Sequence, residues 1–250
     1  MSTVIIEFSP TGGTEKVARI IADEWGRETT TIDLADSGND FSASKINESD
    51  RVIIAMPVYG GSVPQVALDR LAQIKGNGAA SVLLCVYGNR AFEHALADMQ
   101  AAAKKCGFRV VAGIAGVAEH SIARQYGTGR PDAADAERLR GFARQIAEKG
   151  AGLATMPGDA SDRSGGASAN LLVPKPGRGC TRCGACVRLC PVGAIDPASL
   201  KADPRRCIDC MRCVSVCPSN ARKPNAMALA AVGAALKKAC SQRREPELFL

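Results

Sequence analysis

Five short apolar runs are spaced along the first 150 residues, and stretches with apolar positions at helical spacing lie between them. After the first run, Val17, Ile20, Ile21 and Trp25 recur at the spacing of one helix face. Strands that alternate with helices favour a parallel sheet covered by helices on both faces. The pattern therefore predicts an α/β domain with a doubly wound, five-stranded parallel sheet. Strands are predicted at residues 2–8, 29–34, 51–56, 81–87 and 108–117, and three further helices near 63–74, 91–106 and 131–149.

The periodic pattern ends near residue 150 and a different composition follows. Residues 151–173 are rich in Gly, Ala, Ser and Asp, which predicts a flexible linker after a first domain at 1–150. A compact cysteine-rich segment at 174–222 predicts a second, small domain. Residues 223–250 then hold an alanine-rich helix, which Asn225 can cap, and an apolar tail.

Eight of the eleven cysteines repeat one spacing, C-x2-C-x2-C-x3-C-P, as CTRCGACVRLCP and CIDCMRCVSVCP. In bacterial sites with this spacing, three cysteines bind one [4Fe-4S] cluster and the fourth, before proline, binds the other cluster. Two clusters are therefore predicted. The ligands would be Cys180, Cys183, Cys186 and Cys217 for the first cluster, and Cys207, Cys210, Cys213 and Cys190 for the second.

Structural zinc and disulfides are the simpler explanations of paired cysteines. Structural zinc uses two cysteine pairs around one tetrahedral ion, in which a third cysteine two residues later has no place. Disulfides need an oxidising compartment, and no signal-peptide pattern opens this sequence. The complete repeat, with proline after each fourth cysteine, favours iron–sulfur clusters.

Composition and charge narrow the class of protein further. The sequence is 46% hydrophobic, and its longest apolar run is about half of what a bilayer-spanning helix needs, so a cytoplasmic protein without a membrane span is expected. The net charge of +7 divides into −1 over residues 1–150 (17 Lys and Arg, 18 Asp and Glu) and +8 over 151–250 (15 and 7). The last residues, Leu248, Phe249 and Leu250, are too apolar for a free tail, and we expect them to dock on the first domain.

The basic second half does not by itself indicate nucleic-acid binding. Each cluster with four thiolates carries a charge of about −2 when oxidised, so two clusters offset about half of the positive charge. No nucleic-acid partner is expected, and an acidic docking partner remains open. Five arginines lie among the cysteines, where they would favour the reduced clusters: Arg182, Arg188, Arg205, Arg206 and Arg212.

Three loops follow predicted strands at the sheet edge where ligands of doubly wound folds bind. The first, SPTGGT at 9–14, offers hydroxyls, glycines and a helix N-terminus, which suit a phosphate group. It matches neither the triphosphate loop nor the dinucleotide fingerprint. The loops PVYGGSVP at 57–64 and YGNR at 87–90 each place a tyrosine beside glycine, which suits a planar ring. Together the loops favour flavin mononucleotide (FMN) over the alternative that they only form turns.

Through SPTGGT, PVYGGSVP and VYGNR the first domain resembles a flavodoxin, and the repeated cysteine motif is similar to that of a bacterial two-cluster ferredoxin. Over nearly its full length the sequence resembles the flavodoxin–ferredoxin fusion proteins of anaerobic bacteria. The resemblance implies a flavodoxin-like sheet beside a small ferredoxin-like α+β domain. It implies phosphate contacts from Ser9, Thr11, Gly12, Gly13 and Thr14, and ring contacts from Pro57, Val58, Tyr59, Gly60, Gly61, Tyr87, Gly88, Asn89 and Arg90. At Gly13 many flavodoxins have asparagine instead.

This combination predicts an electron-transfer protein that relays single electrons between two [4Fe-4S] clusters and FMN. It would exchange electrons with low-potential redox partner proteins. A second hypothesis is that the protein is an enzyme. In it the flavin reduces a small acceptor, such as a quinone or disulfide, at the rim of the predicted flavin pocket, which contains Arg90, His120 and Tyr126. In a third hypothesis the first domain is an empty flavodoxin-like scaffold that docks a partner.

Overall fold

Five parallel strands form the centre of the first domain in the computed structural model, which describes residues 2–150, 152–160 and 172–250. They are Thr3–Glu7 (β1), Thr29–Asp33 (β2), Arg51–Pro57 (β3), Ala80–Tyr87 (β4) and Arg109–Val117 (β5). Their order in the sheet is β2-β1-β3-β4-β5. This is the doubly wound order of flavodoxin-like folds, so the predicted fold class is confirmed.

Helices cover both faces of this sheet because each carries one apolar face. They are Gly13–Glu24 (α1), Gln65–Leu71 (α2), Ala95–Lys105 (α3) and Ala133–Lys149 (α4). Side chains of α1 and α4 pack on one face, and those of α2 and α3 pack on the other. Asp132 and Asp135 form a capping box that starts α4. The central strands lie between two apolar layers, which explains their continuous apolar sequences.

The second domain contains little regular structure. Lys175–Pro176 (β6) is followed by two single-turn helices, Ala185–Arg188 (α5) and Arg212–Ser215 (α6), and by Arg222–Lys223 (β7), which pairs antiparallel with β6. The two cysteine motifs fold alike, since Gly184 and Met211 both adopt left-handed backbone angles before α5 and α6 (φ 74° and 60°). Methionine rarely adopts this conformation, so its position is imposed by the repeated fold.

A long helix and a final strand return the chain from the second domain to the first. Asn225 caps the helix Ala226–Cys240 (α7), where its side chain accepts a hydrogen bond from the Ala228 amide over 3.1 Å. Glu247–Phe249 (β8) then pairs antiparallel with β5, as the sixth strand of the central sheet. Among the described helices, none has the length and apolar character needed to cross a bilayer.

Two of the three tail residues expected to dock on the first domain do so. Leu248 lies opposite Ile114 in the sheet, and the ring of Phe249 meets that of Phe92 edge-on at 5.9 Å between centroids. The expectation is wrong for Leu250, which is 46% exposed, because pairing ends at Phe249.

Residues 152–160, within the predicted linker, pack on the first domain instead of forming a free coil. The Ala154 amide donates to the Val110 carbonyl over 3.1 Å, and its carbonyl accepts from the Gln100 side chain over 2.7 Å. Ala154 and Met156 are buried. The rest of the linker prediction falls largely on Ala151 and residues 161–171, which lie outside the described residues, so the domain boundaries stay a prediction.

Two arginines connect the domains directly. Arg70 of α2 donates to the Leu34 carbonyl over 2.5 Å and to the Pro191 carbonyl of the second domain over 2.6 Å. Arg212 of α6 lies 3.7 Å from the Asp33 carboxylate at the end of β2. The second domain therefore lies at the carboxyl ends of the parallel strands.

Candidate functional site

The loop between β1 and α1 has the features of an anion site. Gly12 adopts a left-handed conformation (φ 84°) that turns the chain into the helix. The Ser9 hydroxyl accepts a hydrogen bond from the Glu15 amide over 2.9 Å, so its side chain caps the helix. The first amides of a helix have no acceptor within it, which leaves those of Gly13 and Thr14 for a ligand.

A cavity extends from this loop across the ends of β3 and β4. Thr11, Gly13 and Thr14 line one end of it together with Tyr59 and Tyr87. The neighbouring part is lined by the same two tyrosines, by the glycines beside them and by Arg90. We call these two adjoining spaces, which share Tyr59, Tyr87 and Gly88, the tyrosine cavity. Eleven of the fourteen residues predicted to hold FMN line it: Thr11, Gly13, Thr14, Pro57, Val58, Tyr59, Gly60, Gly61, Tyr87, Gly88 and Arg90.

Three predicted contact residues do not line the tyrosine cavity. Ser9 and Gly12 shape the loop, as described above. Asn89 is turned away, because its side chain binds the main chain of Cys240 at the end of α7 and of Gln242 and Arg244 beyond it. A side-chain contact from Asn89 to the ring is therefore excluded in this conformation.

His120 lies against the glycine of the loop after β4. A Cβ atom on Gly88 would come within 2.6 Å of the His120 ring, so glycine is needed for this approach. His120 Nδ1 accepts hydrogen bonds from the amides of Ile122 and Ala123, each over 3.2 Å, which places the proton of the neutral ring on Nε2. Burial, assisted by Arg90, lowers the pKa of His120, so the neutral ring dominates at pH 7.

Tyr126, which was expected at the same rim, is not part of the cavity. Its hydroxyl donates to the Gly233 carbonyl of α7 over 2.6 Å. The rim therefore consists of Arg90, His120 and Ser121. The expectation that Tyr126 lies at the rim is therefore corrected. No sequence pattern indicated that α7 packs against the loop that contains Tyr126.

The eight cysteines of the two motifs lie close together in the second domain, and their division into two ligand sets stays a prediction. Cys180, Cys183, Cys186 and Cys217 line one cavity, although Cys217 lies far from the others in sequence. Cys190 and Cys213 are buried in the small apolar core, against which Cys186 and Cys207 also pack. Within the described ranges, no three His, Cys, Asp or Glu side chains are arranged to hold a metal ion.

Burial keeps two of these sulfur atoms protonated when no metal is bound. It raises the pKa of Cys207 to about 11 and that of Cys210 to about 12, so without a cation both would remain thiols at neutral pH. A coordinated metal deprotonates such thiols. The backbone amides of Ala194 and Ala221 donate to the sulfur atoms of Cys190 and Cys217, both over 3.3 Å. The donor set therefore fits thiolate ligands.

The second domain also contributes to the tyrosine cavity. Ile208 and Asp209, between Cys207 and Cys210, line it opposite the flavodoxin-like loops. Burial, with a further contribution from Cys210, raises the pKa of Tyr59 well above its ordinary value. Sequence reasoning missed Ile208 and Asp209 because nothing in the motif shows which side of it meets the first domain.

Comparison with known families agrees with this geometry. Residues 179–221 match the family of 4Fe-4S dicluster domains. Over these residues the second domain is similar to 4Fe-4S dicluster domains, and we call it the dicluster domain. The chain thus joins a domain of flavodoxin-like topology to a dicluster domain, as the sequence predicted. Among curated protein sequences, none matches the chain significantly.

Several solved structures overlap the part of the chain that precedes the dicluster domain. A flavodoxin from Streptococcus pneumoniae TIGR4 is 24% identical, covering 60% of this chain and 99% of its own, with a TM-score of 0.43. An archaeal flavodoxin is 16% identical, with coverages of 60% and 98% and a TM-score of 0.43. A Fusobacterium nucleatum flavodoxin bound to flavin mononucleotide is 17% identical, with coverages of 60% and 99% and a TM-score of 0.42.

Proposed function

We propose that the protein is an electron-transfer flavo-iron–sulfur protein that relays single electrons between two [4Fe-4S] clusters and FMN. Low-potential redox partner proteins exchange electrons with it at the dicluster domain. The FMN-bound Fusobacterium flavodoxin and the donor chemistry of the tyrosine cavity support the flavin. All eleven cysteines are free of disulfides, as in the reducing cytoplasm, which we propose as its compartment.

The observation that carries this proposal is the contact of the two cofactor sites. Ile208 and Asp209 line the tyrosine cavity, and the cysteines on either side of them, Cys207 and Cys210, belong to the second cluster. The second cluster would therefore be held next to the flavin, whereas none of the predicted ligands of the first cluster is followed or preceded by a residue that lines the tyrosine cavity. An electron that enters at the first cluster would pass through the second.

The residues of the tyrosine cavity have distinct tasks in this relay. The amides of Gly13 and Thr14 would bind the phosphate, and Tyr59 and Tyr87 would hold the ring. The Nε2 proton of His120 supplies a hydrogen-bond donor of fixed position in the cavity. When bound, FMN supplies chemistry in one- or two-electron steps, which connects single-electron carriers with pair-wise reactions.

The outer end of the relay is a basic surface around the first cluster. Cys183 is exposed, and the exposed Arg188 donates to its carbonyl over 3.0 Å. Arg182, also exposed, lines the same cavity. A positive surface beside an accessible cluster fits a partner with an acidic docking face.

Anaerobic spectroscopy with two matched variants tests the relay. Cys210→Ser removes a ligand of the second cluster, and Cys183→Ser removes a ligand of the first. After rapid mixing with reduced ferredoxin, cluster bleaching in the wild type should precede flavin reduction. In Cys210→Ser the first cluster should still be reduced while flavin reduction slows at least tenfold. Flavin reduction at the wild-type rate in Cys210→Ser would contradict the relay, and protein purified with clusters but no flavin would support the scaffold hypothesis.

A second candidate function is FMN-dependent reduction of a small acceptor fed through the clusters. It is favoured by Arg90, His120 and Ser121, which place polar groups at the rim of the tyrosine cavity. Turnover of a quinone or disulfide that depends on reduced ferredoxin, and that falls in His120→Phe without loss of bound flavin, would support it. If the relay is intact and no turnover is found, the electron-carrier function is the only one of the two that remains.

A further inference from the structure

Arg222 of β7 is a buried arginine whose charge has no carboxylate partner in the part of the chain that the structure describes. It is 2% exposed, and none of the ion pairs found among the described residues includes it. Its Nη1 atom donates to the Leu200 carbonyl over 2.9 Å. Its Nε and Nη2 atoms are buried and have no hydrogen-bond partner among the described residues. A buried guanidinium in this state is unstable unless an anion lies beside it.

The guanidinium of Arg222 lies between the two predicted ligand sets. Its Nη1 atom is 3.8 Å from the sulfur of Cys186, and it lines the cavity formed by the cysteines of the first set. It also interacts, by charge and by hydrogen bonding, with Cys213 of the second set. One cation therefore reaches both cluster sites.

The two cysteine motifs can be compared position by position, and only the second is followed by an arginine at the position of Arg222. Cys190 and Cys217 each accept a hydrogen bond from the amide four residues later. The next residue is Ile195 in the first half and Arg222 in the second half. Ile195 is buried in the small core with Cys190 and Cys213, so an apolar side chain satisfies the fold there. The fold alone does not require the charge of Arg222.

We propose that Arg222 is a positioning residue that sets the potentials of both clusters. Its unpaired N–H groups donate to cluster sulfur, and its charge stabilises the more negative, reduced state of each cluster. Because one group acts on both sites, it raises both potentials together and keeps them close. The inference rests on the proposed two-cluster function.

Exposed arginines near the clusters have a much weaker effect because water and salt screen them. Arg188 is the matched comparison, since it also lies beside the first ligand set and carries the same charge. Arg222→Met and Arg188→Met remove one charge each and keep an unbranched side chain. Neither residue is a cluster ligand.

Redox titration followed by electron paramagnetic resonance tests the assignment on the full chain. Arg222→Met should lower the equilibrium constant for reduction of both clusters at least tenfold, and tenfold corresponds to about 59 mV for one electron. Arg188→Met should change it less than threefold. Equal shifts in the two variants, or a shift of only one cluster in Arg222→Met, would overturn the proposal.

A measurement on the wild type covers the case in which Arg222→Met fails to hold its clusters. In reduced protein with 15N-labelled arginine, pulsed paramagnetic resonance should detect a coupled arginine nitrogen. This signal should vanish in Arg222→Lys and persist in Arg188→Lys; no Arg222-dependent coupling in the wild type would refute the contact. Iron and sulfide for only one cluster per chain would instead refute the two-cluster function, so the two failures are distinguishable.

Discussion

The side-chain amide of Asn89 donates to the main-chain carbonyl of Cys240 over 2.8 Å, which joins the loop after β4 to the end of α7. The same amide donates to the Gln242 carbonyl over 2.9 Å, and its oxygen accepts from the Arg244 amide over 3.0 Å and from Arg130 over 3.2 Å. Asn89 is 5% exposed. The segment beyond the dicluster domain therefore holds a loop of the tyrosine cavity in place.

Asn89→Ala should destabilise the protein and weaken flavin binding together. The substitution leaves buried carbonyls and amides without partners, which costs about 3 kcal/mol. It also releases the loop that contains Gly88 and Arg90. Denaturant unfolding and flavin titration would measure the two effects. Asn225→Ala, at the start of α7, should cost about 1 kcal/mol and leave flavin affinity unchanged; equal flavin affinity in both variants would count against this coupling.

Phe249→Ala should show that β8 stabilises the first domain. Its ring contacts Phe92 and the core on the α2–α3 side of the sheet, and it is only partly buried, so its loss should cost about 2 kcal/mol. Leu250→Ala is the control, because Leu250 is 46% exposed and lies outside the strand. The control should change stability by less than about 0.5 kcal/mol. Thermal unfolding of the two variants checks the difference, and similar losses would argue against the strand.

Glu7 should make stability depend on pH. Burial, followed by repulsion from Glu15 and Asp33, raises the pKa of Glu7 from 4.5 to about 7. Because the folded state binds the proton more tightly, this stabilisation is complete below pH 4.5 and is lost as pH rises through 7. Glu7→Gln should therefore be more stable than the wild type at pH 8, by at most about 3 kcal/mol.

This advantage of Glu7→Gln should disappear near pH 4, where the wild-type carboxyl is protonated. Denaturant unfolding across pH 4 to 8 measures it. Glu148→Gln is a suitable comparison, since Glu148 is exposed and is not among the charges that act on Glu7. A constant difference between Glu7→Gln and the wild type at all pH values would show that Glu7 is not the titrating group.

Iron removal should unfold the dicluster domain and leave the flavodoxin-like domain folded. The apolar core of the dicluster domain is small and includes Cys190 and Cys213 themselves. Metal-site binding energy in such a domain acts as folding energy. After oxidative iron removal, hydrogen exchange should become fast over residues 174–222 and stay slow in β3 and β4. Retained protection in the dicluster domain would contradict this.

Local features of the structure follow from the sequence more readily than the contacts between distant segments. The cysteine spacing predicts a small domain with a repeated motif, and the apolar runs predict β1 to β5. The partner of β8 depends on a pairing between residues 113–115 and 247–249, which no local pattern encodes. The same holds for Asn89, whose side chain looks like a ring contact in sequence and is instead occupied by the tail.

In the tyrosine cavity, too, some residues can be predicted from local sequence and others only from contacts between distant segments. Tyr59 and Tyr87 are recognisable because each stands beside glycine at the end of a strand. Ile208 lines the cavity only because the two domains dock. Arg222 stands out only because it is buried with no carboxylate from the described residues beside it. The spacing of residues along the sequence predicts ligands that lie close together in one motif. Docking surfaces and buried unpaired charges can be recognised only in the folded structure.

The pairing of β8 with β5 has a consequence for synthesis on the ribosome. The edge of β5 stays uncovered while about 130 further residues are translated, since the strand that covers it is made after the dicluster domain. An open parallel-sheet edge can pair with another chain. The sixth strand can therefore join the sheet only after the dicluster domain has been translated.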